Sequence, residues 1–192
     1  TDADFLMADV ASAARRIAWN IDELCYAIQN AGLFRLWNFG KKVGDTITGR
    51  RKSISTSYES DEDFSAETVL RIAVTTATNQ ERFTPEVIKQ LRQADIDIPD
   101  PWTQEIRELF VSLLLTGHDA IPVLETLDEL DLFVPFLPEW KPARSRPQRN
   151  AYHRFTVDRH LLETAAEAAK LKDRVERPDL LVVGALLHDI GK

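Results

Sequence analysis

The sequence of 192 residues has one cysteine, few aromatic residues and no long apolar run. A single cysteine, Cys25, excludes an internal disulfide framework and a zinc cluster built from cysteines. No stretch approaches the roughly 18 to 20 apolar residues that a membrane span requires, and no N-terminal segment resembles a secretory signal. The formal net charge of -7 argues against nucleic acid as a partner. We therefore expect a cytoplasmic protein with no membrane and no nucleic-acid partner.

Helical periodicity is the strongest pattern that the sequence contains. Within the first thirty positions apolar residues recur every three or four residues, at Leu6, Val10, Ala13, Ile17, Ile21, Leu24 and Ile28. This spacing predicts one long helix whose apolar stripe packs against the rest of the protein. Cys25 lies beside the stripe, so we expect it to be a small buried hydrophobe. Candidate capping residues predict where later helices begin: Ser65, Thr84 (followed by Pro85), Thr103, Asp119 and Thr156.

The fold class that these patterns predict is all-α. A small irregular or β-hairpin excursion is expected near residues 33–63, where glycines and short β-branched runs interrupt the helical pattern. Four prolines between residues 132 and 150 exclude regular helix from that stretch. We therefore expect three parts: a helical region at 1–131, a proline-rich basic connector at 132–150, and a final helical part at 151–192.

Positive charge is concentrated at the junction of the last two parts. Between Lys141 and His160 there are six basic residues and one acid, Asp158. Such a strip suits a phosphate-bearing substrate, because lysine and arginine pair well with phosphate oxygens. A solvated or ion-paired linker explains the same pattern equally well, so both interpretations stay open.

The sharpest chemical feature is the pair His188-Asp189. It follows a strongly apolar segment that begins at Pro178 and is predicted to form a central, buried helix. An imidazole and a carboxylate in such surroundings are costly unless they are paired or bind an ion. A mixed nitrogen and oxygen ligand set suits a divalent metal, and His160 on the preceding helix is the natural third ligand. Lys192 adds a cation beside the predicted site.

A second His-Asp dipeptide, His118-Asp119, lies at a predicted junction between helices and lacks the Gly-Lys that follows the first pair. We interpret Asp119 as a helix cap rather than a metal ligand.

These residues resemble a known family. A histidine followed by a helix that ends in His-Asp and Gly-Lys is similar to the HD phosphohydrolase superfamily. A longer block is closer still to the bifunctional PII uridylyltransferase/uridylyl-removing enzymes. That block comprises Leu137-Pro138-Glu139-Trp140, Arg146 to Glu163, Arg177 to Leu181 and Gly184 to Lys192. The resemblance covers about residues 137 to 192 and implies that the last part is the N-terminal portion of an HD-domain helical bundle.

The resemblance also implies roles for individual residues. The metal ligands would be His160, His188 and Asp189, and the metal would be Mg²⁺ or Mn²⁺. The catalytic residues would be Lys192, which contacts or orients the phosphate, and Asp189. The residues on the approach of the substrate and its phosphate would be His153, Arg154 and Arg159. The implied reaction is hydrolysis of the uridylyl–tyrosine bond on the signalling protein PII, with glutamine as allosteric effector and UTP and UMP as nucleotides of the full-length enzyme.

Three features of the family are not found in the sequence: the last aspartate ligand, the Gly-Ser turn and paired aspartates of the transferase site, and the regulatory domains. We therefore expect an internal piece of a longer enzyme that is inactive in isolation. Two alternatives stay open. One is another HD-type metal-dependent phosphohydrolase, acting on a nucleotide or on guanosine tetraphosphate; within the resembled family, transfer of an adenylyl instead of a uridylyl group also stays open. The other is a non-catalytic helical regulatory module.

Overall fold

The computed structural model describes residues 2–30, 64–148 and 155–191, and regular structure in these ranges is helical. The helices are α1 (Asp2–Asn30), α2 (Ala66–Thr78), α3 (Pro85–Leu91), α4 (Gln104–Leu115), α5 (Ala120–Glu129), α6 (Trp140–Ala143), α7 (Val157–Ala169) and α8 (Pro178–Leu187). Short 3₁₀ turns occupy Gly117–Asp119 and Lys172–Arg174. The all-α prediction is confirmed for these ranges, and the excursion predicted at 33–63 lies outside the described residues.

Three of the predicted helix starts are confirmed in atomic detail. The side-chain oxygens of Ser65, Thr84 and Thr103 accept hydrogen bonds from backbone N–H groups three residues later, at 3.1 to 3.3 Å. Each bond satisfies one of the N–H groups that a helix leaves without an internal partner in its first turn. These local signals set where α2, α3 and α4 begin.

Two predicted caps are wrong, for different reasons. Asp119 adopts a helical backbone conformation because a 3₁₀ turn leads directly into α5, and its carboxylate instead accepts a hydrogen bond from Gln80 Nε2 at 2.9 Å. Thr156 occupies the N-cap position of α7 but makes no side-chain cap bond. The N–H of Arg159, which Thr156 would have capped, donates to Asp158 Oδ1 at 2.9 Å.

The core lies where α4 meets α2, α5, α7 and α8. Its fully buried side chains come from every one of these helices and include Val69, Leu113, Leu127, Leu161 and Leu186. The proline-rich connector also packs on this core, as its large apolar residues predict. The prediction that its prolines exclude helix is wrong for the single turn α6, where Pro142 lies in the first turn and no internal N–H bond is lost. Phe133 and Trp140 are each 1% exposed, with ring centroids 4.9 Å apart in an edge-to-face arrangement. The connector therefore joins the bundle rather than extending from it.

The prediction that the apolar stripe of α1 packs inward is wrong. Leu6, Ile17 and Leu24 are 63%, 60% and 60% exposed, and Cys25 is exposed as well. The face that meets the bundle carries Arg15 and Trp19 instead. Helical spacing identifies an apolar stripe, but it does not say whether a partner within the same chain covers that stripe.

The last helix is also less enclosed than predicted. In α8 only Val182 and Leu186 are buried, and Leu180 is 60% exposed. Its apolar character is nearly uniform around the helix, whereas its neighbours in the described part of the chain, chiefly α7 and α4, cover one side. The helix ends at Leu187, so His188 and Asp189 lie in the turn that follows it.

Among the residues that the structure describes, no single helix is long and apolar enough to cross a membrane. Only the pair Gln104–Leu115 and Gly117–Glu129, bent by 109°, reaches the required length and hydropathy together.

Candidate metal centre

Two packed helices bring the predicted ligands together. His160 lies in the first turns of α7, next to Leu161, which is fully buried. His188 and Asp189 follow the end of α8, two and three residues after the fully buried Leu186. The buried leucines fix each helix in the core, so the polar residues beside them meet at the margin of the α7–α8 contact.

The three side chains offer ligand atoms that all lie within 4.8 Å of one another. Asp189 Oδ2 is 3.5 Å from His188 Nε2 and 3.9 Å from His160 Nε2. Both distances exceed those of ordinary N–H···O hydrogen bonds. The two imidazole rings stand edge to face, with centroids 5.2 Å apart. Two nitrogens and one carboxylate oxygen thus converge with a spacing that leaves room for a cation.

The neutral tautomer of His188 is selected by its own helix. Its Nδ1 lies 2.8 Å from the carbonyl oxygen of Ala185. A carbonyl can only accept, so Nδ1 is the nitrogen that carries a proton, and in the neutral tautomer the lone pair is on Nε2. That lone pair then lies beside the Asp189 carboxylate, a second acceptor. Two acceptors so placed are stabilised by a shared cation, and a backbone bond to the remote nitrogen is the usual way in which proteins orient metal-binding histidines.

The centre is open enough for a substrate to reach it. The side chains of His160, His188 and Asp189 are 26%, 37% and 15% exposed. The donor chemistry therefore fits a divalent metal held at the surface end of two core helices.

Arg159, predicted to lie on the phosphate approach, is engaged elsewhere. Its guanidinium contacts Glu125 at 2.7 Å and Glu163 at 2.8 Å. Burial lowers its pKa, but the two carboxylates outweigh that effect, so the net pKa of Arg159 is raised. Arg144 of the basic strip is likewise paired, with Asp128 and Asp131. For these two arginines the structure favours the ion-paired interpretation, and the phosphate role of Arg159 stays a prediction.

Three other predicted site residues, His153, Arg154 and Lys192, lie outside the described residues. His118 is kept apart from the centre, since its Nε2 lies 3.3 Å from carboxylate oxygens of both Glu163 and Glu167.

One residue that sequence reasoning did not single out organises the start of α7. Asp158 is 2% exposed, and its carboxylate accepts from the N–H of Ser145 at 2.6 Å and of Arg159 at 2.9 Å. It also pairs with Arg15 Nη1 of α1 at 2.8 Å. Asp158 thereby anchors the turn that carries His160. The only signal in the sequence was that Asp158 is the one acid within the basic strip.

Arg15 binds a second buried carboxylate, Asp128, at 2.9 Å. Burial raises the pKa of Asp128 above its ordinary value, while Arg144 and Arg15 lower it and Asp158 raises it. The helix α1 is thus joined to α5 and α7 through one arginine between two buried acids.

The segment that carries all three ligand residues matches a protein family. Residues 157–192 match the family described as HD domain. The segment is therefore similar to an HD domain. The relationship predicted from residues 137 to 192 is confirmed by curated relatives, each named bifunctional uridylyltransferase/uridylyl-removing enzyme.

The relative from Streptomyces coelicolor is 46% identical over 123 residues, which cover 64% of this chain and 15% of the relative. That from Mycobacterium tuberculosis is 44% identical over 124 residues, or 65% of this chain and 15% of the relative. The relative from Corynebacterium glutamicum is 38% identical over 95 residues, which cover 50% of this chain and 14% of the relative. The chain therefore spans about 15% of the length of the first relatives. No solved structure matches it.

Proposed function

We propose that this chain is part of a bifunctional enzyme that uridylylates PII and removes UMP from it, and that it carries part of the uridylyl-removing site. The observation that carries the proposal is the convergence of His160, His188 and Asp189 within the HD-domain segment. The names of the relatives supply the reaction, and the resemblance supplies PII as the uridylylated protein. UTP as donor and glutamine as effector would belong to the whole enzyme.

The same three residues are proposed to hold a divalent metal, Mg²⁺ or Mn²⁺. Of the two, Mn²⁺ suits a pair of imidazole nitrogens better, because Mg²⁺ prefers oxygen ligands. A metal bound there would lower the pKa of a water molecule and stabilise charge on phosphoryl oxygens. The bond from His188 Nδ1 to Ala185 holds the ring ready to bind, and the Asp189 carboxylate offsets the positive charge of the ion.

In the proposed reaction, water adds to phosphorus and the bond between phosphorus and the tyrosine oxygen breaks. UMP leaves and the tyrosine oxygen takes up a proton. Lys192 would contact the phosphate, and His153, Arg154 and Arg159 would line its approach, as the resemblance implies. The division into a helical region at 1–131, a connector at 132–150 and part of an HD domain at 151–192 belongs to the same proposal.

The test compares this chain with a version extended to the length of its relatives. Each is incubated with uridylylated PII, Mn²⁺ and glutamine, and released UMP is measured. We expect release by the extended chain and its loss on His188→Ala, because that change removes one ligand nitrogen. The matched control is His118→Ala, which alters the other His-Asp dipeptide and should leave release unchanged.

Other outcomes point to the alternatives. If the folded, metal-loaded extended chain releases no UMP but hydrolyses guanosine tetraphosphate or a free nucleotide, the substrate is different. If it hydrolyses none of them, the helical regulatory module is the better interpretation.

A further inference from the structure

A cavity lies between α1, the segment after α2, and α5, with Arg159 of α7 also in its lining. Its volume is about 340 Å³, within the range of pockets that hold small molecules. Among its lining residues are five carboxylates and three arginines. The five carboxylates are Asp22, Glu23, Glu81, Glu125 and Glu129. The cavity therefore has an excess of negative charge.

The arginines of the cavity are already matched by acids. Arg15 pairs with Asp128 and Asp158, both outside the lining. Arg159 pairs with Glu125, at 2.7 Å. These contacts account for two of the three guanidinium groups and one of the five carboxylates.

The remaining ion pairs involve two more of the carboxylates. Arg82 lies 3.7 Å from Asp22, and Arg16, which is not among the lining residues, lies 3.1 Å from Glu129. Among the described residues, Glu23 and Glu81 are then the lining carboxylates for which no ion pair forms. The excess negative charge is thus located on these two side chains.

Glu81 is the more unusual of the two. It is 7% exposed, and its Oε2 has no hydrogen-bond partner among the described residues. It lies three residues after Thr78, the last residue of α2, and its N–H donates to Thr76 O at 3.0 Å. Exposed carbonyl groups give that end of a helix a negative potential. A carboxylate buried there without a partner is unfavourable unless a cation or a proton joins it.

The surroundings of Glu23 and the cavity walls indicate the kind of cation. Desolvation raises the pKa of Glu23, partly offset by Arg82 and reinforced by Asp22. The walls include Trp19 and Phe83, and Trp19 Nε1 is directed to Thr126 Oγ1 at 3.3 Å. Aromatic rings favour cations that carry an apolar body. The volume also exceeds what a bare metal ion needs.

We propose that this cavity binds a compact organic cation, an aliphatic primary amine or diamine. Its ammonium group would pair with Glu81 and Glu23, and its carbon chain would pack against Trp19 and Phe83. None of the three proposed metal ligands is among the residues that line the cavity, and the proposal does not depend on the proposed reaction.

The test is a calorimetric titration of the chain with 1,4-diaminobutane at low ionic strength, with 1,4-butanediol as the neutral molecule of matched shape. We expect saturable binding of the diamine and none of the diol. Glu81→Gln and Glu23→Gln should each weaken binding at least about tenfold, which corresponds to loss of one charged contact. Glu139→Gln, an exposed acid outside the cavity, is the matched control and should leave binding unchanged.

Glu81→Gln has a second readout that needs no ligand. Replacing an unpartnered buried carboxylate by a neutral amide should raise the melting temperature of the free protein, so we expect a more stable variant that binds the diamine more weakly. Glu23→Gln, at a less buried position, provides the same binding test independently.

Three results would overturn the proposal. They are absence of saturation at about 10 mM diamine, equal binding by the wild type and both cavity variants, and tight binding of Mg²⁺ in place of the diamine.

Discussion

Arg15 is predicted to hold α1 against the bundle, and its removal should be costly. It pairs with Asp128 at 2.9 Å and with Asp158 at 2.8 Å, and both carboxylates are 2% exposed. Removing one partner of a buried ion pair typically costs about 3 to 5 kcal/mol, because a buried charge is left uncompensated. Two features reduce that figure here. The Arg15 side chain is 24% exposed, and each carboxylate keeps other partners: Asp128 keeps Arg144 and Asp158 keeps two N–H groups.

We therefore expect Arg15→Ala to lower the free energy of unfolding by about 2 to 3 kcal/mol. The adjacent Arg16 provides a matched control on the same helix. Its side chain is 70% exposed and pairs with Glu129 at 3.1 Å, so Arg16→Ala should cost less than about 1 kcal/mol. Urea unfolding followed by circular dichroism measures both losses. Hydrogen exchange then locates them, since detachment of α1 should speed exchange of its amides by about 30- to 150-fold in Arg15→Ala.

The pH dependence of the stability loss provides a second test of this prediction. Burial already raises the pKa of Asp128 in the folded state, and loss of the cation of Arg15 should raise it further. A carboxyl whose pKa is higher folded than unfolded binds more protons in the folded state, so stability rises as pH falls through the folded pKa. The difference in the free energy of unfolding between the wild type and Arg15→Ala should therefore become smaller as pH is lowered from 7 toward the pKa of Asp128 in the unfolded chain. Equal losses for Arg15→Ala and Arg16→Ala, or a deficit that does not change with pH, would refute the reasoning.

Three further predictions test other parts of the structure. Leu113→Ala, at a fully buried core position, should lower the free energy of unfolding by about 2 to 5 kcal/mol, whereas Leu24→Ala on the exposed face of α1 should change it by less than about 0.5 kcal/mol in urea titrations. Arg177 lowers the pKa of Asp179 to about 2, chiefly through a side-chain hydrogen bond, so this pair stabilises the folded state above the unfolded pKa and ceases to do so as pH falls toward 2. Arg177→Ala should return the pKa of Asp179 toward its ordinary 3.8, which carboxyl chemical shifts in NMR would show. His160→Ala should weaken Mn²⁺ binding at least tenfold in a paramagnetic titration, and unchanged binding would exclude His160 as a ligand.

The features that sequence predicts well are those that nearby residues determine. Ser65, Thr84 and Thr103 cap their helices because the interacting groups lie three residues apart. Asp119 and Thr156 show the limit of the same rule. Each lies at the start of a helix, but another group forms a competing hydrogen bond. Gln80 donates to the carboxylate of Asp119, and Asp158 accepts from the N–H that Thr156 would have capped. A capping residue therefore predicts where a helix begins better than which bond forms there.

Surface and core assignments fail for a different reason. Periodicity predicts that α1 has an apolar stripe and that α8 is apolar throughout. Both helices do carry these apolar side chains. Whether such a face is buried depends on which element lies opposite it. In α1 the face that packs against the bundle is the one that carries Arg15, because Arg15 pairs with Asp128 and Asp158. No local sequence pattern predicts those contacts, because Arg15 and Asp158 are 143 residues apart in sequence.

The candidate metal centre combines both kinds of information. The adjacency of His188 and Asp189, and the helical position of His160, are visible in the sequence. Their convergence depends on how α7 and α8 are fixed, and the start of α7 is fixed by Asp158, two residues before His160. That carboxylate is shared with Arg15, so the same buried charge that joins α1 to the bundle also orients the helix carrying a proposed ligand. A change at Arg15 should therefore disturb stability first and the metal centre second, through the position of α7 rather than through any contact with the metal.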